Sequence, residues 1–386
     1  MIRYDNFIES PFNDWQQIDI IVSRDCTLRC TYCYLHKSGD KTYNIDAMMQ
    51  SLEEIICECE QQDTKGIVLS FYPEAWVNVE RTNMLISRSM EIILRHPKYI
   101  SNYMIMIGTN GVNLHKPIQM LEGLKNHLSL AVTLDGVKEQ HDMYRVFPDG
   151  SPSWEIVKRN ILENQEKYRI YHTKVTLGPD TLKYIYESTL FLWDEMHFND
   201  INMNVVFEDL WGDRLDESLK LFEQQLVLLY DDIIKNRRWQ KQQFQGLLGS
   251  RHIAPSKFTE KIEFKEYCEI ARPYCGATRM RSIDSDGKIY PCFRLSPYSL
   301  QGDTTFGIKE EEEKRRTLLL LNTFDQVNEK CRNCDLLAVC SMCVGGAYEE
   351  GNSIYYRTTH HCEFQKLQSE YSYKLYKKIN EIEGNI

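Results

Sequence analysis

The chain has 386 residues, of which 42% are hydrophobic and 26% charged, and its formal net charge is −10. This length exceeds what one hydrophobic core usually organises, so more than one domain is expected. The acidic balance argues against nucleic acid as a partner. No apolar run is long enough to cross a membrane, and residues 1–10 lack the apolar core of a signal peptide, so we expect a cytoplasmic protein.

Short apolar strands alternate with amphipathic helices along the first half of the chain. This alternation predicts an α/β fold with a parallel sheet, either an open sheet or a partial (β/α)6 TIM-type barrel. In barrels of this type, the chemistry lies at the carboxyl ends of the strands. Strands are predicted at 15–23, 66–73, 103–111, 128–136, 174–178 and 201–207, and helices at 45–62, 80–95 and 215–247.

The character of the sequence changes twice along the chain. Residues 1–214 carry the repeated strand–helix units, and residues 215–265 read as a helical bridge. From residue 266 to residue 386 the periodicity weakens and cysteines accumulate. We therefore predict an α/β domain, a bridge and a cysteine-rich C-terminal domain.

The sequence contains 13 cysteines. In a reducing compartment such residues more often bind metal or carry out redox chemistry than form disulfides. The first group, Cys26, Cys30 and Cys33, directly follows the first predicted strand. Iron–sulfur clusters and structural zinc sites both normally take four ligands, so the spacing alone leaves both open, with His36 as a candidate fourth zinc ligand.

The second group has eight cysteines, the number needed for two fully ligated clusters, although zinc ribbons use similar C-x2-C pairs. Cys57 and Cys59 lie inside a predicted helix and are interpreted as ordinary helix residues. The eight are Cys268, Cys275, Cys292, Cys331, Cys334, Cys340, Cys343 and Cys362.

Together, the two groups resemble a known superfamily. CTLRCTYCY (26–34) resembles the CxxxCx(aromatic)C signature of radical S-adenosylmethionine enzymes. The segments YCGATRMRSIDSDGKIYPC (274–292) and CRNCDLLAVCSMC (331–343), with Cys362, resemble the C-terminal SPASM extension of peptide maturases and anaerobic sulfatase maturases. In the second segment, the last cysteine comes one residue earlier than is usual.

The resemblance implies three 4Fe–4S clusters. The first would be bound by Cys26, Cys30 and Cys33, with one iron left to chelate S-adenosylmethionine. Two auxiliary clusters would be bound by Cys268, Cys275, Cys292 and Cys343, and by Cys331, Cys334, Cys340 and Cys362.

The resemblance also implies contacts to S-adenosylmethionine. Tyr32 matches the aromatic residue beside the adenine, and Arg145 in QHDMYR (140–145) matches the arginine that binds the methionine carboxylate, a contact suited to a guanidinium. Thr133 and Asn110 occupy further family positions near the cofactor.

The sequence departs from the family pattern in two places. The family's Gly-Gly-Glu-Pro after the second strand is replaced by Tyr72-Pro73-Glu74-Ala75, so Glu74 is the one member that keeps its place as a cofactor contact. Sulfatase maturases carry an aspartate, a proposed base, immediately after the cysteine that matches Cys292. This chain has Phe293 there, which argues against formylglycine formation.

The resemblance implies that a 5′-deoxyadenosyl radical abstracts hydrogen from a peptide. We expect a maturase that forms a thioether or carbon–carbon crosslink in a ribosomally made, cysteine-containing precursor. The expected partners are a flavodoxin- or ferredoxin-type electron donor and a separate leader-binding protein, with Asp135 as one possible leader contact. The alternatives are sulfatase-maturase-like protein oxidation, a small-molecule or cofactor-biosynthesis radical enzyme, and an iron–sulfur electron-transfer protein.

Overall fold

The computed structural model describes most of the first 250 residues and parts of the remainder. The described residues are 15–37, 39, 42–198, 200–208, 210–241, 246–249, 252–254, 257, 280–297, 331, 333–336, 339–340, 343, 345–347 and 359–384.

Strands and helices alternate as the sequence predicts. The strands are β1 (Trp15–Ile21), β2 (Gly66–Tyr72), β3 (Tyr103–Thr109), β4 (Leu128–Val132), β5 (His172–Leu177), β6 (Asp200–Val205), β7 (Met280–Ile283) and β8 (Ile289–Tyr290). The α-helices are α1 (Ile45–Gln61), α2 (Val79–Arg95), α3 (Lys138–Tyr144), α4 (Trp154–Tyr168), α5 (Ile185–Leu190), α6 (Leu215–Asn236) and α7 (Thr359–Glu383). Short 3₁₀ helices occupy Pro97–Tyr99, Gln119–His127, Leu182–Tyr184, Gly212–Arg214, Arg238–Lys241 and Phe293–Leu295, and Phe191–Glu195 is π-helical.

All six predicted strands are present, and they pair in parallel. The first sheet has the order β4-β3-β2-β1-β7-β8, and β5 pairs with β6 in a second sheet. In the first sheet, Ile20 on β1 lies opposite Phe71 on β2 and Ile283 on β7. The predicted α/β fold with a mainly parallel sheet is therefore confirmed.

The two sheets meet at β4 and β5. These strands do not pair through their backbones, and a side chain on β5 makes hydrogen bonds to the backbone of β4 and the residues after it instead. The Thr173 hydroxyl on β5 donates to the Val132 carbonyl (2.7 Å) and accepts from the Leu134 N–H (2.9 Å). Since a hydroxyl can do both, it satisfies these backbone groups without strand pairing. No closed barrel forms within the described residues.

The sequence did not predict β7, which joins the first sheet beside β1. This strand comes from the cysteine-rich part of the chain, and β8 returns antiparallel to it through a turn at Gly287. Gly287 has φ +81°, and a side chain there would collide with the Ala47 backbone on α1. Only glycine fits both conditions, so this turn lies directly against the first helix.

The helices cover the outer face of the sheet. Asn44 and Asn78 cap α1 and α2 by accepting the backbone N–H of Ala47 and Arg81, respectively, as asparagine does at a helix start. The long helix α6 packs against α7, where the rings of Phe222 and Phe364 meet at 5.0 Å. Among the described residues, no helix has both the length and the apolar character needed to cross a bilayer.

Candidate functional site

The three-cysteine loop begins where β1 ends and is fastened at its centre. The backbone N–H of Arg29 donates to the Val146 carbonyl (2.8 Å), and that of Thr31 donates to the Tyr144 carbonyl (3.0 Å). These bonds tie the loop to the chain that leaves α3, which also carries Arg145. The thiols therefore lie at the carboxyl edge of the sheet, as predicted.

The loop thiols lie in a setting that suits bound thiolates. Burial raises the pKa of Cys26 to about 12, and burial also raises the pKa of Cys30. Without a positive partner both thiols stay protonated, whereas a metal removes the proton outright. Two donors already point at the sulfurs: Asn110 Nδ2 lies 3.3 Å from Cys26 Sγ, and Arg145 Nη1 lies 3.9 Å from Cys30 Sγ.

The three thiols alone leave the bound group open. Iron–sulfur clusters and structural zinc sites are both held by cysteine thiolates, and both normally take four ligands. The His36 Nε2 atom is buried and makes no hydrogen bond within the described part.

Arg145 and Tyr32 meet at a buried carboxylate. Asp135 Oδ2 accepts from Arg145 Nε (2.5 Å) and from the Tyr32 hydroxyl (3.3 Å), while its Oδ1 accepts from the Thr176 N–H (3.0 Å). Asp135 is 1% exposed, and its contact with a leader peptide stays a prediction. Its role is to orient Arg145 beside the cysteine loop.

Glu74 is buried behind this loop and bonds to the protein. It accepts from the Thr109 hydroxyl (2.7 Å), the Asn110 N–H (2.7 Å) and the Trp76 N–H (3.1 Å). Burial raises its pKa to about 7, against the effect of these donors. Glu74 thus fixes the turn that aims Asn110 at Cys26.

Thr133 lies at the same edge of the sheet, and its N–H donates to the Thr109 carbonyl (2.9 Å). This bond continues the β3–β4 pairing by one residue. Of the five predicted cofactor contacts, Asn110 and Arg145 therefore reach the sulfurs directly. Glu74 lies close to Cys26 and Tyr32 close to Cys30, while Thr133 lies at the same edge of the sheet.

Charge effects place some of the described cysteines near one another. Cys343, Cys33 and Cys292 are all close enough to raise the pKa of Tyr34, after the larger effect of burial. Cys362 and Cys334 both contribute to the raised pKa of Lys366, whose largest cause is its hydrogen bond to Glu363. The predicted ligand sets stay a prediction, and Cys268 and Cys275 lie outside the described residues.

Sequence reasoning missed several charged residues at the site. Arg294 Nη2 donates to Glu208 Oε1 (2.6 Å), and the Arg294 guanidinium lies 3.5 Å from the centre of the Tyr34 ring. Lys174 on β5 is opposite Asn202 on β6. The alternation of polar and apolar residues along β5 and β6 could have placed Lys174 and Asn202 on the same face of the sheet. No local sequence pattern identifies the ion pair of Arg294 and Glu208.

The two helix cysteines differ in their surroundings. Cys59 is buried in the core, as expected of a helix residue. Cys57 is exposed, and its thiol lies within 4.8 Å of ligand atoms of Glu53 and His96. The ring nitrogens of His96 already lie 3.0 Å from Glu53 and 3.1 Å from Glu60, so we assign no metal to this group.

Comparison with known proteins gives a consistent result. No known family profile matches the chain. A cysteine-type anaerobic sulfatase-maturating enzyme from Clostridium novyi (strain NT) is 23% identical over 337 residues, which are 82% of this chain and 84% of that protein.

Solved structures resemble the fold over nearly the whole chain. Native anSMEcpe with bound AdoMet matches with a TM-score of 0.67 at 18% identity, over 95% of this chain and 100% of that one. Streptococcus suis SuiB bound to precursor peptide SuiA matches with a TM-score of 0.52 at 15% identity, over 89% of this chain and 75% of that one. The predicted resemblance to radical S-adenosylmethionine maturases, and with it the expectation of an enzyme, is thereby confirmed.

Proposed function

We propose that the chain is a radical S-adenosylmethionine maturase that modifies a ribosomally made peptide. The observation that carries the proposal is the cysteine loop at the carboxyl edge of the sheet. Asn110, directly after β3, and Arg145, directly after α3, both donate to its sulfurs. This donor set fits thiolates that are bound to an iron–sulfur cluster.

Cys26, Cys30 and Cys33 would hold a 4Fe–4S cluster that leaves one iron for S-adenosylmethionine. When bound, this pair supplies a 5′-deoxyadenosyl radical that takes hydrogen from a substrate carbon. Arg145, held by Asp135, would bind the methionine carboxylate, and Tyr32 would lie by the adenine. Glu74, Asn110 and Thr133 would shape the same pocket.

Two auxiliary 4Fe–4S clusters complete the proposal. Cys292 and Cys343, with Cys268 and Cys275, would form one; Cys334 and Cys362, with Cys331 and Cys340, would form the other. The strands would then act as a partial (β/α)6 barrel that carries a SPASM domain. Its partners would be a cysteine-containing precursor, an electron donor and a leader-binding protein, and the product a thioether or carbon–carbon crosslink. That one structural relative is named as bound to a precursor peptide supports a peptide substrate.

Protein oxidation of the sulfatase-maturase type is the second candidate, because the curated relative carries that name. Phe293 argues against it, since a phenyl ring cannot accept a proton. Mass spectrometry of a co-expressed precursor separates the two candidates. Loss of two hydrogens per site indicates crosslinking, whereas conversion of cysteine to an aldehyde indicates maturase-type oxidation.

The test is anaerobic reconstitution with iron and sulfide. The parent should bind about twelve irons per chain, and a Cys26→Ala/Cys30→Ala/Cys33→Ala variant about eight, because each cubane holds four. The variant should also form no 5′-deoxyadenosine. Cys57→Ala, a cysteine outside the proposed ligands, is the matched control and should behave as the parent. A protein that binds zinc and no iron would disprove the proposal.

A further inference from the structure

Three aromatic rings form a continuous stack beside the cysteine loop. The Phe293 ring lies 5.6 Å from the Tyr72 ring at an interplanar angle of 7°, and 6.3 Å from the Tyr34 ring at 26°. We call Tyr34, Phe293 and Tyr72 the aromatic wall. All three residues are partly exposed.

The wall brings together three distant parts of the chain. Tyr34 directly follows Cys33, Tyr72 ends β2, and Phe293 directly follows Cys292. Tyr72 and Phe293 are the two aromatic residues that depart from the family pattern, and their rings are in contact with each other. The wall therefore adjoins Cys33 of the first loop and Cys292 of the second group.

Neighbouring residues hold the wall in place. A side chain at Gly108 on β3 would come within 2.8 Å of the Tyr72 ring, so glycine leaves the space that this ring fills. At the other end, the buried Arg294 guanidinium covers the Tyr34 ring and is itself paired with Glu208. A cation over a ring face favours a fixed ring position.

The surface of the wall is apolar, whereas the strands across the site are polar. Burial and Asp19 raise the pKa of Tyr72 to about 12, so its hydroxyl stays neutral. Lys174 and Thr176 on β5 lie opposite Asn202 and Asn204 on β6. A flat apolar group entering the site would therefore find its matching surface at the wall.

We propose that the aromatic wall is a substrate subsite that packs against an aromatic side chain of the peptide. This inference rests on the proposed function, because it assumes that a peptide enters beside the cysteine loop. It assigns Tyr34, Phe293 and Tyr72 to substrate specificity. The aspartate that sulfatase maturases carry at the position of Phe293 would instead select a polar or acid–base-active residue.

Peptide affinity tests the proposal independently of turnover. Cluster- and S-adenosylmethionine-loaded protein is titrated anaerobically by calorimetry with acetylated Gly-Gly-X-Gly-Gly amides, where X is Phe, Tyr, Leu or Ser. We expect Phe and Tyr to bind roughly three- to tenfold tighter than Leu, the range of one aromatic pair. Serine should bind more weakly still.

Wall variants locate the effect. Phe293→Leu keeps an apolar side chain without a flat ring and should remove the preference for Phe over Leu, and Phe293→Asp should reverse the preference for Phe over Ser. Tyr72→Phe keeps the ring and should retain the preference. Tyr171→Leu, an aromatic position at the opposite end of β5, is the matched control. Iron content and circular dichroism verify that each variant is folded.

Equal affinities for all X, absence of binding at millimolar peptide, or a preference that survives Phe293→Leu would each overturn the proposal. Formation of 5′-deoxyadenosine is measured on the same samples. If aromatic peptides bind through the wall but S-adenosylmethionine is never cleaved, the subsite stands and the proposed function fails.

Discussion

Asp19 is a carboxylate fully buried in the middle of the sheet, and its removal should stabilise the protein at high pH. It lies on β1 in register with Ser70 on β2 and Ser282 on β7. Its Oδ1 accepts from Gln17 Nε2 (2.9 Å), and its Oδ2 has no hydrogen-bond partner within the described part. Burial raises its pKa from 3.8 to about 7, because the charged form loses its hydration.

The sign and the size follow from linkage. The pKa of Asp19 is higher in the folded than in the unfolded protein, so ionisation of Asp19 costs folding stability. The stability of the parent is fully present below pH 3.8 and falls as the pH rises to about 7. At about 1.4 kcal/mol per pH unit, the whole loss is about 4 kcal/mol, and about 2 kcal/mol of it falls between pH 5.5 and pH 8.5. Asn cannot ionise, and its carbonyl can keep the bond to Gln17.

Urea denaturation of the cluster-loaded parent and Asp19→Asn protein at both pH values measures this difference. The free energy of unfolding of the variant, relative to the parent, should rise by about 2 kcal/mol from pH 5.5 to pH 8.5. Asp231→Asn, at an exposed position on α6, is the control and should show no such rise. A difference between Asp19→Asn and parent that stays constant with pH, or shrinks, would refute the reasoning.

Three further substitutions test the site. Glu74→Gln turns one acceptor toward the Asn110 turn into a donor and should destabilise the protein by about 1–3 kcal/mol, seen as a lower Tm; an unchanged Tm contradicts this role. Arg145→Lys keeps the charge but loses the paired donors, so calorimetry should show S-adenosylmethionine affinity reduced about ten- to a hundredfold, and parent-like affinity would rule out the carboxylate contact. Gly108→Ala forces the Tyr72 ring to move, so urea denaturation should show a free energy of unfolding that is lower by about 1–3 kcal/mol. The variant should also bind aromatic peptides more weakly, and unchanged tight binding of these peptides would contradict the described packing.

The strands that were predicted correctly carry apolar residues either in a run, as in β2, or at every second position, as in β5 and β6. β7 lacks both patterns: MRSI carries Arg281 and Ser282 at its centre, and what makes it a strand is pairing with β1, which no local pattern encodes. The break between β4 and β5 was equally hidden, because it depends on where one hydroxyl, that of Thr173, points.

At the site, motif spacing identified the cysteines and Arg145, but not what positions them. Asp135 was visible in TLDG, yet its burial depends on the approach of β5, which brings the Thr176 N–H to it. Tyr72 and Phe293 of the aromatic wall lie more than two hundred positions apart, so they were noted as separate departures from a pattern and their contact was not foreseen.

The pairing of β7 with β1 also bears on how the chain is made. β1 emerges first from the ribosome, but its neighbour on one side comes from residues 280–283, and the buried Arg24–Asp284 pair spans 260 positions. Contacts of such sequence separation form late and slowly. During synthesis, β1 therefore has an open edge, and the cysteine loop after it is reachable before the C-terminal segment arrives. A nascent chain stalled before residue 280 should expose these thiols to alkylating reagents, and the released protein should protect them.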